Sequence, residues 1–508
     1  MRAPCLGLRG RNAEVAVRAP RAAAALLLCA LAAAPLAASA RITIVNANQA
    51  GVGFNDTTAV APVGGNPGTT LGQQRLNAFQ KAAELWGALL DSDVEIRIKA
   101  SFEPLDCTAT TGTLAAAGPA TSVQGFANAP LPGTWYVVAL ANKIAGRDLA
   151  PTAPGHINAK FNSNVGTAGC LASSQWYYGL DNQHGGKIDL VSVLLHEFGH
   201  GLGFLTLVDP ESGAEFLGDP DVFEQHILDT STGTHWNTMT AADRKTSAIR
   251  TGALVWDSPA VTAAVPGTLS GLPLLTVTEP AALSGDFAVG TADFGAALTI
   301  AGVSGDLIAA ADAENAEGPA ATDACSTLDN AADVAGKVTL VDRGTCTFVD
   351  KARNVQAAGA IGMVVANNVA DTSTLGMAGD DTTITIPIAS VTQADGATIR
   401  ASLAGGVAVR MRLDPDHRSG ADAENRMLLF APNPVQPGSS TSHWDSSAYP
   451  HLLMQPNDSS DLPHTVDLTL PLLQDIGWAS APVPEGHPRG EVLRADPEGA
   501  PRTVGPRP

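Results

Sequence analysis

The stretch LLHEFGHGLGF, residues 194–204, decides how the rest of the chain is read. It completes an apolar run beginning at Leu190, and Asp189 stands where a carboxylate can cap the first free N–H groups of a helix. On a helix, positions four apart lie one above the other, so His196 and His200 can offer their imidazole nitrogens to one cation. Zinc sits about 2.0–2.1 Å from each such nitrogen. Glu197 projects toward the side where a zinc-bound water would stand. A carboxylate there can take a proton from that water and later hand it to a leaving amine. Gly203 suits the positive-φ turn that ends a helix. By chance alone, HExxH would occur in roughly one in a hundred chains of this length. A catalytic zinc takes three protein ligands and keeps one position open. The motif supplies two, so the third must lie elsewhere.

At 508 residues the chain is too long for one ordinary domain, and two or three are expected. A hydrophobic fraction of 45% allows large cores. The net charge of −20 repels phosphate backbones and excludes nucleic acid as a partner. An arginine-bearing start, the apolar run AAAALLLCALAAAPLA over 22–37 and the small-x-small Ala38-Ser39-Ala40 read as an export signal over residues 1–40. The run is too short for a stable membrane span, and no later one is longer. An alanine-rich leader of this kind points to a bacterial, secreted protein. Removing it takes Cys5 and Cys29 and leaves Cys107, Cys170, Cys325 and Cys346. An even number in an exported chain favours disulfides. Three connectivities are open, and pairing within domains gives Cys107–Cys170 and Cys325–Cys346.

Hydrophobic spacing organises the first half. RITIVNA, residues 41–47, reads as a strand. The next apolar segment carries Leu76, Phe79, Ala83, Trp86 and Leu90 at helical spacing. In DVEIRIKASF, Val94, Ile96 and Ile98 alternate with charged residues as in a half-buried strand. TWYVVALAN, residues 134–142, is a continuous apolar run and reads as a buried strand. HINAKFNSN, residues 156–164, reads as a strand near the sheet edge, where an extended substrate could pair by strand addition. Strands followed by the motif helix make an α+β arrangement. A helix is expected near TAADRKTSAIRTGALVW, residues 240–256. From Gly267, strands at GKVTLVDRG and AIGMVVANN alternate with a helix at TCTFVDKARNVQAAG, Phe348, Ala352 and Val355 facing inward. ITIPIASVTQADGATIRASL adds a strand and a helix, completing an α/β module of about 140 residues. From Ala479 onward seven prolines and few apolar residues read as a disordered tail.

With Gly203 in place, HExxHxxG resembles the metzincin class of zinc endopeptidases, whose usual third histidine would fall at Thr206. Threonine cannot serve, which leaves two routes. A glutamate on a following helix, as in gluzincins, would be Glu224 in DVFEQHILD, with Asp229 as its supporting partner and His226 and His235 nearby. The other route is SHWDSSAYPHLLMQPN, residues 442–457, which resembles leishmanolysin-type metzincins. There an insertion precedes the third histidine, which has a Ser-His-Trp context, and a Leu-Met-x-Pro segment forms a methionine turn beneath the metal. That resemblance implies His196, His200 and His443 as ligands, Glu197 as general base and acid, and Gly203 and Met454 as structural supports, with Pro456 after the turn. His451 and His464 flank it. DLTLPLLQDIGW resembles the short closing helix of such domains. The module from 267 to 414 resembles a protease-associated (PA) domain, non-catalytic, with Asp342 and Arg343 in a structural ion pair or turn contact.

The expected organisation is therefore a leader (1–40), a first catalytic part (41–266), an inserted PA domain (267–414), a second catalytic part (415–478) and a tail (479–508). The expected protein is a secreted zinc endopeptidase acting on protein or peptide substrates with one catalytic zinc. Calcium and oligomeric state are left open. The rival readings are an inert secreted binding protein built around the PA domain, a gluzincin-type peptidase using Glu224, and a zinc hydrolase acting on other bonds.

Overall fold

The chain enters its first sheet at Ile42–Asn46, which pairs in parallel with Ile96–Glu103. Parallel neighbours need a crossover, and the helix Leu71–Leu89 makes it. A capping box fixes its start: the Thr70 hydroxyl accepts from the Gln73 N–H while the Gln73 side chain accepts from the Thr70 N–H. Its inner face, with Ala78, Phe79, Ala82, Ala83 and Trp86, is buried. The structure, a computed structural model, describes residues 39–316, 318–370, 374–459 and 461–480. The expected leader and tail lie outside them, save Ser39, Ala40 and residues 479–480. Ala479–Ser480 form a short strand against Leu90–Asp91.

Two more strands complete this sheet. Ile157–Asn162 adds in parallel to Ile96–Glu103, and Ala115–Pro119 adds antiparallel on its far side. The strand expected at the edge is therefore interior, and the edge is Ala115–Pro119. Its sequence, AAAGP, has neither branched nor aromatic residues, so nothing in it signals a strand. A second expectation also fails. TWYVVALAN contributes only Tyr136–Val137 as strand before turning into the helix Val138–Ala145. Every residue from Val138 to Ala141 is buried, so no polar face reveals a period, and a short apolar run fits either element. The 240–256 segment likewise splits into the helix Ala241–Ser247 and the strand Leu254–Trp256.

The motif helix, Leu190–Leu202, lies against both the first helix and the sheet. Asp189 caps it by accepting from the N–H groups of Val191 and Ser192. All its residues except His196 are buried. Trp86 Nε1 donates to the Leu195 carbonyl at 3.0 Å. Gly201 lets the helix touch strand 157–162: a Cβ there would stand 2.3 Å from Ile157 Cγ2. The later strands Ile227–Asp229, Leu254–Trp256 and Met427–Leu428 pair antiparallel in a small second sheet.

Between the last two of these strands an eight-stranded sheet is built. Its centre is four parallel strands, Val303–Ala309, Val338–Asp342, Gly362–Ala366 and Ile388–Val391, with the helices Phe348–Ala357 and Gln393–Ser402. Its first strand, Gly271–Glu279, and its last, Ala408–Arg418, are antiparallel neighbours with Gly271 opposite Arg418. The Ser419 N–H donates to the Ser270 carbonyl at 3.0 Å, so the chain enters and leaves at one place. Asp342 pairs with Arg400 and Arg343 bonds Asn367, not each other. Disulfides join Cys107 to Cys170 and Cys325 to Cys346. No described helix is long and apolar enough to cross a membrane.

The tight contact at Gly201 has a measurable cost. Gly201→Ala should destabilise the fold by about 2 kcal/mol through overpacking, read as a lowered urea midpoint. Gly118→Ala, where a Cβ meets nothing within 4 Å, should change it by less than about 0.5 kcal/mol. Equal effects would show that helix and strand do not meet as described.

Candidate metal centre

His196 and His200 come from adjacent turns of the motif helix, and His443 arrives from 243 positions beyond His200. Their Nε2 atoms lie 3.1, 3.2 and 3.2 Å apart. Each ring turns its other nitrogen to a main-chain carbonyl: His196 Nδ1 to Leu453 at 2.7 Å, His200 Nδ1 to Phe204 at 2.7 Å, His443 Nδ1 to Ser439 at 2.8 Å. A carbonyl only accepts, so each Nδ1 carries the proton and each neutral ring presents a lone pair at Nε2. Burial keeps the rings neutral. It pushes His200 down to about 3, helped by His196, and lowers His196 and His443 too. Three converging lone pairs cannot hydrogen-bond to one another. A tetrahedral shell of 2.0–2.1 Å bonds would space its nitrogens about 3.3 Å apart, close to what is seen. The residues fit a zinc ion, and among the described residues no other group of three His, Cys, Asp or Glu side chains converges in this way.

The third arm is fastened through main-chain and small polar contacts. The Phe430 N–H donates to the His443 carbonyl at 2.9 Å, and the Trp444 N–H to that of Met454 at 2.8 Å. Thr206 holds the arm: its N–H donates to Ser442 Oγ at 3.2 Å, and its hydroxyl to Asp221 at 2.8 Å. Met454 is fully buried, and its sulfur occupies space that a Cβ on Gly199 would contest at 2.9 Å. Gly203, at φ 126°, turns the chain out of the helix. Asp467, pushed up to about 6 by burial, accepts from the Leu453 N–H, and the carbonyl of Leu453 is the one His196 uses. Sequence reasoning missed Ser442, Asp467 and the three carbonyls. A main-chain carbonyl has no residue signature, and the Ser-His-Trp context pointed to His443 without giving Ser442 a role.

Glu197 is buried beside the ligands and pushed up to about 8 by that burial, opposed by a hydrogen bond from the Ala117 main chain. The carboxylate thus reaches the edge strand. Asn162 N–H donates to the Leu114 carbonyl, and Ala120 N–H to that of His156. Even-numbered residues therefore face strand 157–162, and the main-chain groups of 115, 117 and 119 point outward.

The other candidates lie elsewhere. His226 stacks on Trp256, His235 pairs with Asp257, His451 with Asp461, and His464 with the capping Asp189. Asp229 accepts from Ser247 and Arg250 beneath a loop. Glu224 is not a third ligand. It is fully buried, its carboxyl shares a hydrogen bond with that of Glu215, and its other charged neighbours are Asp221 and Arg244. Burial, with those two carboxylates adding, pushes it up to about 9, so it stands as a neutral acid.

Comparison with known proteins identifies one module. The PA domain family pattern matches residues 303–399. The chain is 31% identical over 151 residues to "Signal peptide peptidase-like 3" of Arabidopsis thaliana, covering 29% of this chain and 26% of that protein. It is 36% identical over 100 residues to "Probable lipoprotein aminopeptidase LpqL" of Mycobacterium tuberculosis, covering 20% and 19%. Among solved structures, BSAP, a zinc aminopeptidase from Bacillus subtilis, aligns with a TM-score of 0.22 and 22% identity over 29% of this chain and 31% of that one. The chain spans about a quarter or less of the length of these curated relatives. The protein is thus a mixed α/β chain containing a PA domain.

Glu224 sets a pH dependence. An unfolded glutamate titrates near 4.3, and the folded one at about 9. Between these values unfolding releases a proton, so this residue makes stability fall as pH rises from 5 to 9. Denaturant midpoints at pH 5, 7 and 9 should decline less steeply in Glu224→Gln than in wild type. Parallel declines would mean that Glu224 is ionised in the fold.

Proposed function

We propose that this chain is a secreted, bacterial zinc endopeptidase of metzincin type. His196, His200 and His443 hold the ion, Glu197 moves the proton, and Gly203 and Met454 support the site. The observation that carries this reading is the convergence of three neutral, carbonyl-oriented Nε2 atoms. Bound there, zinc supplies Lewis acidity that lets water attack a carbonyl near neutral pH. Glu197 takes the proton of the attacking water on its carboxylate and delivers it to the nitrogen of the leaving amine. A carboxylate raised toward neutrality by burial suits both halves of that transfer. The residues from 267 to 414, within which the PA match lies, form an insertion between the second and third ligands.

The substrate is a peptide in extended form, laid along the outer side of Ala115–Pro119. Strand 157–162, expected to take that role, is interior to the sheet and has no free edge to offer. The Ala115 N–H and the carbonyls of Ala115, Ala117 and Pro119 face outward, a repeat that matches a peptide main chain. Outward groups lie on both sides of Ala117, where Glu197 touches the strand. A substrate can therefore continue past the centre in both directions, which favours internal bonds over chain ends.

Glu197→Gln should abolish casein cleavage while zinc content stays at the wild-type level, and His443→Ala should lose both. A Glu197→Gln protein that still cleaves at the wild-type rate overturns the mechanism. Failure of wild type on an N-acetylated peptide, with cleavage of the free peptide, would make it an aminopeptidase instead. Ala115→Pro removes one outward N–H without touching the inward pairing. It should lower kcat/KM about tenfold, the worth of one hydrogen bond, with an unchanged denaturation midpoint. An unchanged kcat/KM removes the edge strand from substrate binding.

A further inference from the structure

The two disulfides share one pattern of burial but differ in what stands beside the inner sulfur. In each, one cysteine is buried (Cys170, Cys325) and its partner is half-buried (Cys107, Cys346). Beside the inner sulfur of the first pair lies a neutral amide, Asn162 Nδ2, 3.5 Å from Cys170 Sγ. Beside that of the second lies an ammonium, Lys351 Nζ, 3.2 Å from Cys325 Sγ. Lys351 is fully buried and donates also to the Asp323 carbonyl at 2.7 Å. Among the described residues no carboxylate comes within 4.0 Å of its nitrogen. Burial pulls it below the ordinary lysine value, against Asp323, Asp312, Asp342 and Asp350 acting from farther away. The interior therefore holds a cation whose close neighbours are a carbonyl and a sulfur.

We propose that the Cys325–Cys346 disulfide is a thiol-exchange site, at which a small thiol attacks Cys346 and Cys325 departs as a thiolate paired with Lys351. The direction of attack follows from access. A depression of about 600 Å³, lined by Cys325, Cys346, Thr347, Asp350, Arg353 and Asn354, opens onto the bond, and of its two sulfur-bearing residues Cys346 is the more exposed. Cys346 precedes Thr347, the N-cap of the helix Phe348–Ala357, whose positive end favours an incoming thiolate. In the first step the thiolate's electron pair forms a bond to Cys346 Sγ, the Cys346–Cys325 bond breaks, and its pair goes to Cys325. A second thiol then displaces Cys346 from the mixed disulfide. Two thiols are oxidised to one disulfide, and the protein disulfide is reduced by two electrons. Exchange quickens as the leaving thiol's pKa falls, and a contact ammonium lowers it. A thiolate on Cys325 also supplies the counter-ion that Lys351 lacks at contact distance. The inference is independent of the peptidase reading, because it uses no residue of the histidine centre.

The test treats the folded, full-length protein with reduced glutathione, blocks free thiols with N-ethylmaleimide at intervals and maps the peptides. Cys325–Cys346 should open at least about tenfold faster than Cys107–Cys170, with glutathione on Cys346. Lys351→Met should slow that opening about tenfold and leave Cys107–Cys170 unchanged, while Lys351→Arg keeps most of the rate. Equal rates for the two disulfides, glutathione on Cys325, or a Lys351→Met rate equal to wild type would each overturn the proposal. If Lys351→Met also speeds Cys107–Cys170, the variant has loosened the fold. The adduct position in wild type and the Lys351→Arg rate then decide the matter.

Discussion

Three imidazole nitrogens aimed at one point repel each other through their lone pairs, and the chain holds them there against that repulsion. Each ring is fastened by its back nitrogen to a main-chain carbonyl, and each carbonyl belongs to a different part of the fold: the turn after Gly203, the segment before His443, and the turn at Leu453–Met454. The rings cannot swing away without leaving a carbonyl unpaired, and at His200 that carbonyl is fully buried. Burial removes the alternative of protonation. What remains is a preorganised set of donors for a cation.

That arrangement explains several features around it. Gly199 and Gly201 let the motif helix approach Met454 on one side and Ile157 on the other, so the helix cannot shift along its axis without a clash. Thr206 ties Ser442 and Asp221 together and anchors the returning arm. Asp475, on the closing helix Thr469–Asp475, accepts from Trp256 Nε1 and from the N–H groups of Ala260 and Val261. It thereby clamps the segment from which the chain leaves for the large sheet.

The large sheet can be looped out because its first and last strands are neighbours. Its exit at Ser419 leads within a few residues to Met427–Leu428, and Phe430 then pairs with His443. The Ser270 N–H reaches the Tyr449 carbonyl at 2.8 Å, a few residues before the turn at Leu453–Met454. The module is thus attached close to the arm that delivers the third histidine. The PA domain match falls inside it, and the proposed exchange at Cys346 would act on it.

Local features were legible in the residues. The helical spacing of Phe79, Ala83 and Trp86, the capping role of Asp189 and the stacking of His196 over His200 all follow from contacts three or four positions apart, which sequence states directly. His443 entered through the resemblance of its neighbourhood, since no local rule links it to His200. Strand order was not legible: AAAGP carries no strand signal, yet it forms the edge, and HINAKFNSN lies inside it. Nor was the fate of Glu224, whose spacing suited a ligand but whose surroundings, Asp221 and Glu215, make it a buried acid. By itself the sequence determined the motif helix, the reactive residue types and the cysteine inventory, because these depend on composition and on periods of a few residues. Tertiary structure alone decided which strand borders the site, which carbonyls orient the rings and which sulfur meets Lys351. Those are contacts between segments tens to hundreds of positions apart, and packing, rather than local propensity, selects them.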